Sequence, residues 1–308
     1  MRSKKVATID LGSNSFHMLI SQVSSDGTIK ELYRGKSKVQ LRAGLTDDHD
    51  LTEEAKTRAL ECLQNFTLSV RHYQVDEVKV VGTYTLRKAK RNVTEFLTQA
   101  EQILNSKIEV ISGEEEARLV YIGAASIDKT QKKKVLIVDI GGGSTELVVG
   151  KNRELKTLTS LEMGCVSMQQ QFFQDGLLSL ANMSKALQYA RRLIEPVAGD
   201  YIRQSWEIAL GSSGTIRSIS DLALANDWSD GEINKEVMET LAARLLEKKV
   251  VANIHFTGLR PDRENILAGG FCALYALFDC LNIKKMIKSS GALREGMLYE
   301  IVRRYQKN

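Results

Sequence analysis

Two stretches of the chain place an aspartate, bare backbone and hydroxyls in the same order. Residues 133–149 read KKVLIVDIGGGSTELVV, and residues 4–20 read KKVATIDLGSNSFHMLI. Laid together without a gap, Asp10 meets Asp139, Gly12 meets Gly141 and Ser15 meets Ser144. Glycines leave room for a ligand to touch the main chain and admit left-handed angles. Successive N–H groups in such turns form nests that hold anions. Gly141, Gly142 and Gly143, with the hydroxyls of Ser144 and Thr145, are one candidate nest; Gly12, Ser13, Asn14 and Ser15 are the other. An aspartate beside a phosphate is repulsive unless a cation separates them. Mg²⁺ does so, using one or two carboxylates, phosphate oxygens and water. Asp10, Asp139 and Glu146 are therefore the candidate metal- and water-organising acids. A ligand-free hairpin turn is the plainer alternative for either loop alone; the matched pair argues against it.

Further candidates lie elsewhere. ALGSSGT sets Gly211, Ser212, Ser213 and Gly214 between a strand and a helix, and IKSSGALREG does the same at residues 289–292. Donors at a helix N-terminus suit an anion, although Gly and Ser are also ordinary helix-entry residues. In ISGEEEARL, Ser112 and Glu115 have capping-box spacing and Glu114 suits the helix dipole. Glu116 is left without a local task and could orient and deprotonate a water; a solvated helix charge is the alternative. Arg87, in TYTLRKA at the start of a helix, could clamp a phosphate with two hydrogen bonds.

These groups need elements to hold them. Each copy of the repeat reads as strand, glycine turn, strand, a β-hairpin. A recurrence so far apart points to two like domains. After each hairpin, strands alternate with helices, which argues an α/β class. The first half continues with a helix from Thr52, the strand of EVKVVG, a helix in NVTEFLTQAEQIL, the strand KIEVIS and a helix over GEEEARLVYIGAAS. The second half continues with a helix near residues 180–201, the strand WEIAL, helices over 235–249 and 263–280, the strand KKMIKSS and a final helix ALREGMLYEIVRRY. The boundary is placed near residues 124–132, giving domains 1–124 and 125–308.

The 308 residues suit two domains of ordinary size. The formal charge of +5 is compatible with an anionic ligand. No run approaches the roughly 20 apolar residues of a membrane span, and MRSKKVATID enters a strand pattern with no signal-peptide core. Four separated cysteines and four separated histidines show no metal-ligand spacing. They read as reduced thiols in a cytoplasmic protein without zinc. The basic clusters lack the features of a nucleic-acid reader.

In order, DLGSNSFHMLI, TYTLRKAKRN, ISGEEEARLVY, VDIGGGSTELVVG, EMGCVS, ALGSSGT and SSGALREGMLYE resemble the exopolyphosphatase/guanosine-pentaphosphate phosphohydrolase family along essentially the whole chain. The resemblance implies two ribonuclease-H-like domains flanking a cleft, as in sugar kinases, heat-shock-70 ATPases and actin. It implies Mg²⁺-dependent hydrolysis of the terminal phosphate of inorganic polyphosphate or of the 5′-γ-phosphate of guanosine pentaphosphate, giving guanosine tetraphosphate. It makes Glu116, immediately before Ala-Arg-Leu, the catalytic glutamate, and a homodimer the expected assembly. Longer members carry a C-terminal helical region that helps hold extended polyphosphate. This chain looks like the short form or the first two domains of a long one, with lower processivity expected. Two rivals are a superfamily phosphotransferase acting on a small acceptor and a non-catalytic sensor of guanosine tetraphosphate or polyphosphate.

Overall fold

The computed structural model describes residues 3–127, 130, 132–152 and 154–307. The chain runs β1 (Lys4–Leu11), β2 (Phe16–Val23), β3 (Ile29–Ser37), α1 (Glu53–His72), β4 (Glu77–Gly82), α2 (Tyr84–Lys88), α3 (Val93–Leu104), β5 (Ile108–Val110) and α4 (Gly113–Ile127). It continues through β6 (Val135–Ile140), β7 (Thr145–Lys151), β8 (Glu154–Leu161), α5 (Cys165–Phe172), α6 (Leu180–Arg203), β9 (Ile208–Ser212), α7 (Ser213–Ala225), β10 (Ile233–Asn234) and α8 (Lys235–Lys248). It ends with α9 (Pro261–Glu264), α10 (Leu267–Cys280), β11 (Lys285–Lys288) and α11 (Leu293–Lys307).

These elements form two compact units, residues 1–126 with 291–308, and residues 127–290. The expected second domain ran on to residue 308, but the last segment packs with the first unit. α11 lays Leu298, Ile301 and Val302 on Val6, Leu19 and Val23. The expected linker at 124–132 is helical through Ile127, and residues 128, 129 and 131 of it lie outside the described residues.

In the first unit the sheet order is β3-β2-β1-β4-β5. β1 pairs antiparallel with β2 and parallel with β4. Side chains alternate along β1. Ala7, Ile9 and Leu11 enter a core with Leu63 and Phe66 of α1 and Phe96 of α3. Val6, Thr8 and Asp10 take the opposite face, where the Thr8 hydroxyl donates to the Arg294 carbonyl of α11 (3.3 Å). α4 and α11 touch backbone to backbone: a Cβ on Gly123 would stand 2.0 Å from the Ala292 oxygen, and one on Gly296 1.9 Å from the Leu119 oxygen.

The second unit orders its sheet β10-β11-β9-β6-β7-β8. Read from β8, its first five strands repeat the first unit's order, with β10 added at the edge. Leu136, Val138 and Ile140 of β6 and Leu147 and Val149 of β7 join α6 and α10 in the larger core. That leaves Val135, Ile137 and Asp139 on the other face. Both copies thus become hairpins in equivalent sheets, each extended to a three-stranded meander by a strand that the hairpin reading omitted. The expected helix over 263–280 breaks into α9 and α10, and Pro196 sits inside α6.

Candidate active site

In the first unit, β1 delivers Asp10 on the face away from the α1 core, directly across from His17 of β2. A loop of four residues, 12–15, follows. The N–H groups of Ser13, Asn14 and Ser15 have no acceptor among the described residues. Its carbonyls, by contrast, are occupied: Asn14 O accepts from Gln40 N–H (2.9 Å) and Ser13 O from Arg42 N–H (2.8 Å). The Thr85 hydroxyl of α2 donates to the Ser13 hydroxyl (2.8 Å). Gly12 is required by the tightness of the turn, because a Cβ there would lie 2.7 Å from the Ser15 carbonyl oxygen.

Glu116 stands in the first turn of α4 and is 9% exposed. Its Oε2 accepts from Arg87 Nη1 at 2.9 Å, and the same nitrogen donates to the Ile111 carbonyl at 2.8 Å. Arg87, expected as a phosphate clamp, therefore spends part of its fork fixing the glutamate. Its remaining donors hydrogen-bond to no described residue, and the guanidinium lies over the Tyr84 ring, 5.9 Å from the centroid. Ser112 Oγ accepts the Glu115 N–H (3.1 Å) as the capping pattern required. The reciprocal half of that box is absent, since the Glu115 carboxylate grips Arg118 instead (2.7 and 2.6 Å).

The second unit repeats the geometry with different chemistry. Asp139 pairs in register with Glu146 on β7 and with Ser212 on β9. Glu146, in turn, faces Ser160 on β8, whose hydroxyl donates to Glu146 Oε1 (2.8 Å). Both acids are buried, at 7% and 2% exposed. Where the first unit sets His17 across from Asp10, the second sets a carboxylate. The amides of Gly142, Gly143 and Ser144 have no acceptor among the described residues. α5 holds the loop from behind. Its first-turn amides donate to loop carbonyls, Cys165 to Gly141 O (2.9 Å) and Val166 and Ser167 to Gly142 O (2.9 and 3.1 Å). Donors that a helix start leaves over thus hold the loop's carbonyls.

Not every expected residue joins the nest. Thr145 is fully buried and its hydroxyl donates to the Met163 carbonyl, so its side chain braces the loop rather than facing a ligand. Gly211 lies within β9 and is small for packing: a Cβ there would meet Ile216 Cγ2 at 2.4 Å and Met286 Sδ at 2.5 Å. Ser212 is the N-cap of α7 and Ser213 takes φ 73°, a left-handed angle that a serine adopts only where the turn demands it. The turn at 289–292 is not an open helix start, because the Ala292 N–H donates to Glu295 Oε2 (2.9 Å). The cysteines are all free thiols, as expected.

One residue escaped the motif reading. Arg263 of α9 is 7% exposed and reaches the Ser213–Gly214 turn, with Nη2 donating to the Thr215 hydroxyl (3.2 Å) and lying 3.7 Å from Cys165 Sγ. Gly214 makes room for it, since a Cβ there would lie 3.0 Å from the guanidinium carbon. In sequence it is one arginine among many; only its burial distinguishes it.

The residues fit a hard divalent cation in part. Among the described residues no group of three His, Cys, Asp or Glu side chains is placed to hold a metal by itself. Asp139 and Glu146 are a cross-strand pair of oxygen donors next to open amides. That is the donor chemistry Mg²⁺ accepts when phosphate and water complete its shell.

Two units that share a five-strand sheet order, each with a strand-borne aspartate followed by a loop of open amides, define a duplicated α/β class of fold. Within it, residues 19–305 match the model of the Ppx/GppA phosphatase family, and the chain belongs to that family. It is 39% identical over 303 residues to a Haemophilus influenzae protein provisionally named an exopolyphosphatase, covering 98% of this chain and 93% of that one. It is 39% identical over 296 residues to a guanosine-5'-triphosphate,3'-diphosphate pyrophosphatase of Aeromonas salmonicida, of which it spans 59%. The crystal structure of an exopolyphosphatase from Cytophaga hutchinsonii shares the fold, with a TM-score of 0.88 at 23% identity over 97% of this chain and 98% of that one.

Proposed function

We propose that the protein is a phosphoanhydride hydrolase that removes the terminal phosphate of inorganic polyphosphate, the 5′-γ-phosphate of guanosine pentaphosphate, or both. The observation that carries this reading is the pair of loops with three successive unpaired amides, each following a strand-borne aspartate. Amides fixed in advance stabilise phosphoryl oxygens without reorganising as charge shifts. Glu116, steadied by Arg87, orients the attacking water and accepts its proton. Asp139 and Glu146 are the groups of the second unit that would hold Mg²⁺, which would supply positive charge to the phosphate oxygens, and Asp10 is the corresponding acid of the first unit. Arg263 and the Ser213–Gly214 turn supply further positive charge to the polyanion.

The names of the relatives, an exopolyphosphatase and a guanosine-5'-triphosphate,3'-diphosphate pyrophosphatase, support the reaction class. A cytoplasmic homodimer is part of the proposal. Among the described residues no helix is long and apolar enough to cross a membrane. The test is phosphate release with Mg²⁺ from long polyphosphate and from guanosine pentaphosphate, side by side. Release from at least one is expected. Binding of both without release would favour the sensor reading, and ATP consumption stimulated by a small acceptor would favour the phosphotransferase.

A further inference from the structure

The first unit's loop is clamped by the segment after β3, and that clamp carries a cation that no motif includes. Val39 and Leu41 are fully buried, and between them Gln40 takes φ 56°. Two buried anchors and two backbone hydrogen bonds to Asn14 O and Ser13 O fix the segment against the loop. Arg42 then opens a 3₁₀ turn, Arg42–Gly44, that packs tightly on α1: a Cβ on Gly44 would stand 2.3 Å from Ala55 Cβ.

Arg42 is half-buried, and its side chain has no carboxylate or carbonyl partner among the described residues. Its Nε is shielded from solvent and unpaired. Asn14, 8% exposed, has the same defect at Nδ2. Neighbouring arginines with structural tasks look different: Arg58 Nε holds the Val39 carbonyl (2.9 Å) and Arg87 holds Glu116 and Ile111. Buried donors without acceptors are costly and few in native proteins. Here two occur on segments hydrogen-bonded to each other, beside amides that are themselves open. Both atoms are closed to solvent, so the groups of Arg42 that an oxygen-rich anion could reach are its outer guanidinium nitrogens, which hydrogen-bond to no described residue.

We propose that the Arg42 guanidinium, held beside the loop by its backbone hydrogen bond to Ser13, forms a subsite for a further phosphate of a polyanion whose end group rests on the loop amides. This rests on the hydrolase reading for its substrate, but not for its test. Binding of sodium tripolyphosphate and of orthophosphate is measured by titration calorimetry on the full chain, wild type against Arg42→Gln and Arg42→Lys. A lost charge-assisted hydrogen bond predicts that Arg42→Gln weakens tripolyphosphate about tenfold while orthophosphate changes less than about twofold. Arg42→Lys recovers part of the loss. In turnover of long polyphosphate, the fall in kcat/KM is carried by KM. Equal weakening of both anions, or of neither, overturns the subsite. If the wild type releases no phosphate from any substrate yet shows this selective weakening, the hydrolase reading fails and the subsite stands. If turnover is present and Arg42→Gln leaves KM and tripolyphosphate affinity unchanged, the subsite fails and the hydrolase reading stands.

Discussion

Gly164→Ala tests whether α5 aims the second loop. Gly164 has φ −138° and ψ 169°, extended angles that alanine adopts without strain, so the whole effect must come from the added methyl. That methyl would stand 2.4 Å from the Gly142 carbonyl carbon and 2.5 Å from both its oxygen and the Gly143 nitrogen. Ordinary carbon contacts are about 3.5–4.0 Å, so loop and helix start must part by roughly 1 Å. Overpacking of this kind costs about 1–3 kcal/mol. A displacement of that size in positioned catalytic groups costs on the order of 10²-fold in rate. The amides that move are Gly142, Gly143 and Ser144, so phosphate affinity and kcat/KM must fall together, beyond the change in stability. Gly176→Ala is the control: at φ +74° with nothing within 4 Å, it strains the backbone without touching the loop. It should cost about 1 kcal/mol and leave phosphate binding intact. Urea titrations and calorimetry with tripolyphosphate on both variants separate the two effects. A Gly164→Ala protein with wild-type affinity and kcat/KM would refute the claim that this contact sets the loop.

Other outcomes follow from single contacts. Arg87→Ala should lower kcat at least about tenfold by releasing Glu116 from its charge-assisted hydrogen bond, and the pH–rate profile should shift with it, as a purely structural loss would not require. Thr145→Val should cost about 1–3 kcal/mol in a urea titration by leaving the Met163 carbonyl unpaired. Glu300 of α11 is opposed by burial but held below the usual carboxylate range by Arg118 and Lys79. Its folded-state pKa is depressed, so its stabilising contribution is complete above the unfolded glutamate value of about 4.3 and is lost as pH falls through the folded value. Glu300→Gln should flatten the acid side of the stability–pH curve, which an unchanged slope would contradict.

The repeat around Asp10 and Asp139 made the fold legible, because matched apolar flanks and glycines permit few structures other than paired hairpins. What stayed hidden has physical causes. β3 and β8 are edge strands with partly exposed residues, IKELYRGKS and ELKTLTSL, so they lack the apolar run or clean alternation that marks a buried strand. The docking of α11 on the first unit depends on glycine contacts between α4 and α11, which no local pattern encodes. Asp139 and Glu146 could be singled out because acids inside apolar runs are conspicuous, and Glu116 because the helix-start roles of its neighbours left it without one. The partners were not legible. Arg87 and Glu116 are far apart in sequence, and Arg263 and Arg42 sit in unremarkable polar stretches. A hydroxyl in a turn looks the same in sequence whether it faces a ligand or, as at Thr145, a carbonyl.

Glu116→Gln tests the central claim most directly. Phosphate release from polyphosphate and guanosine pentaphosphate with Mg²⁺ should fall roughly 10²-fold or more, the range of a lost general base, while tripolyphosphate binds about as tightly as to the wild type. Near-normal turnover in the variant would contradict the account.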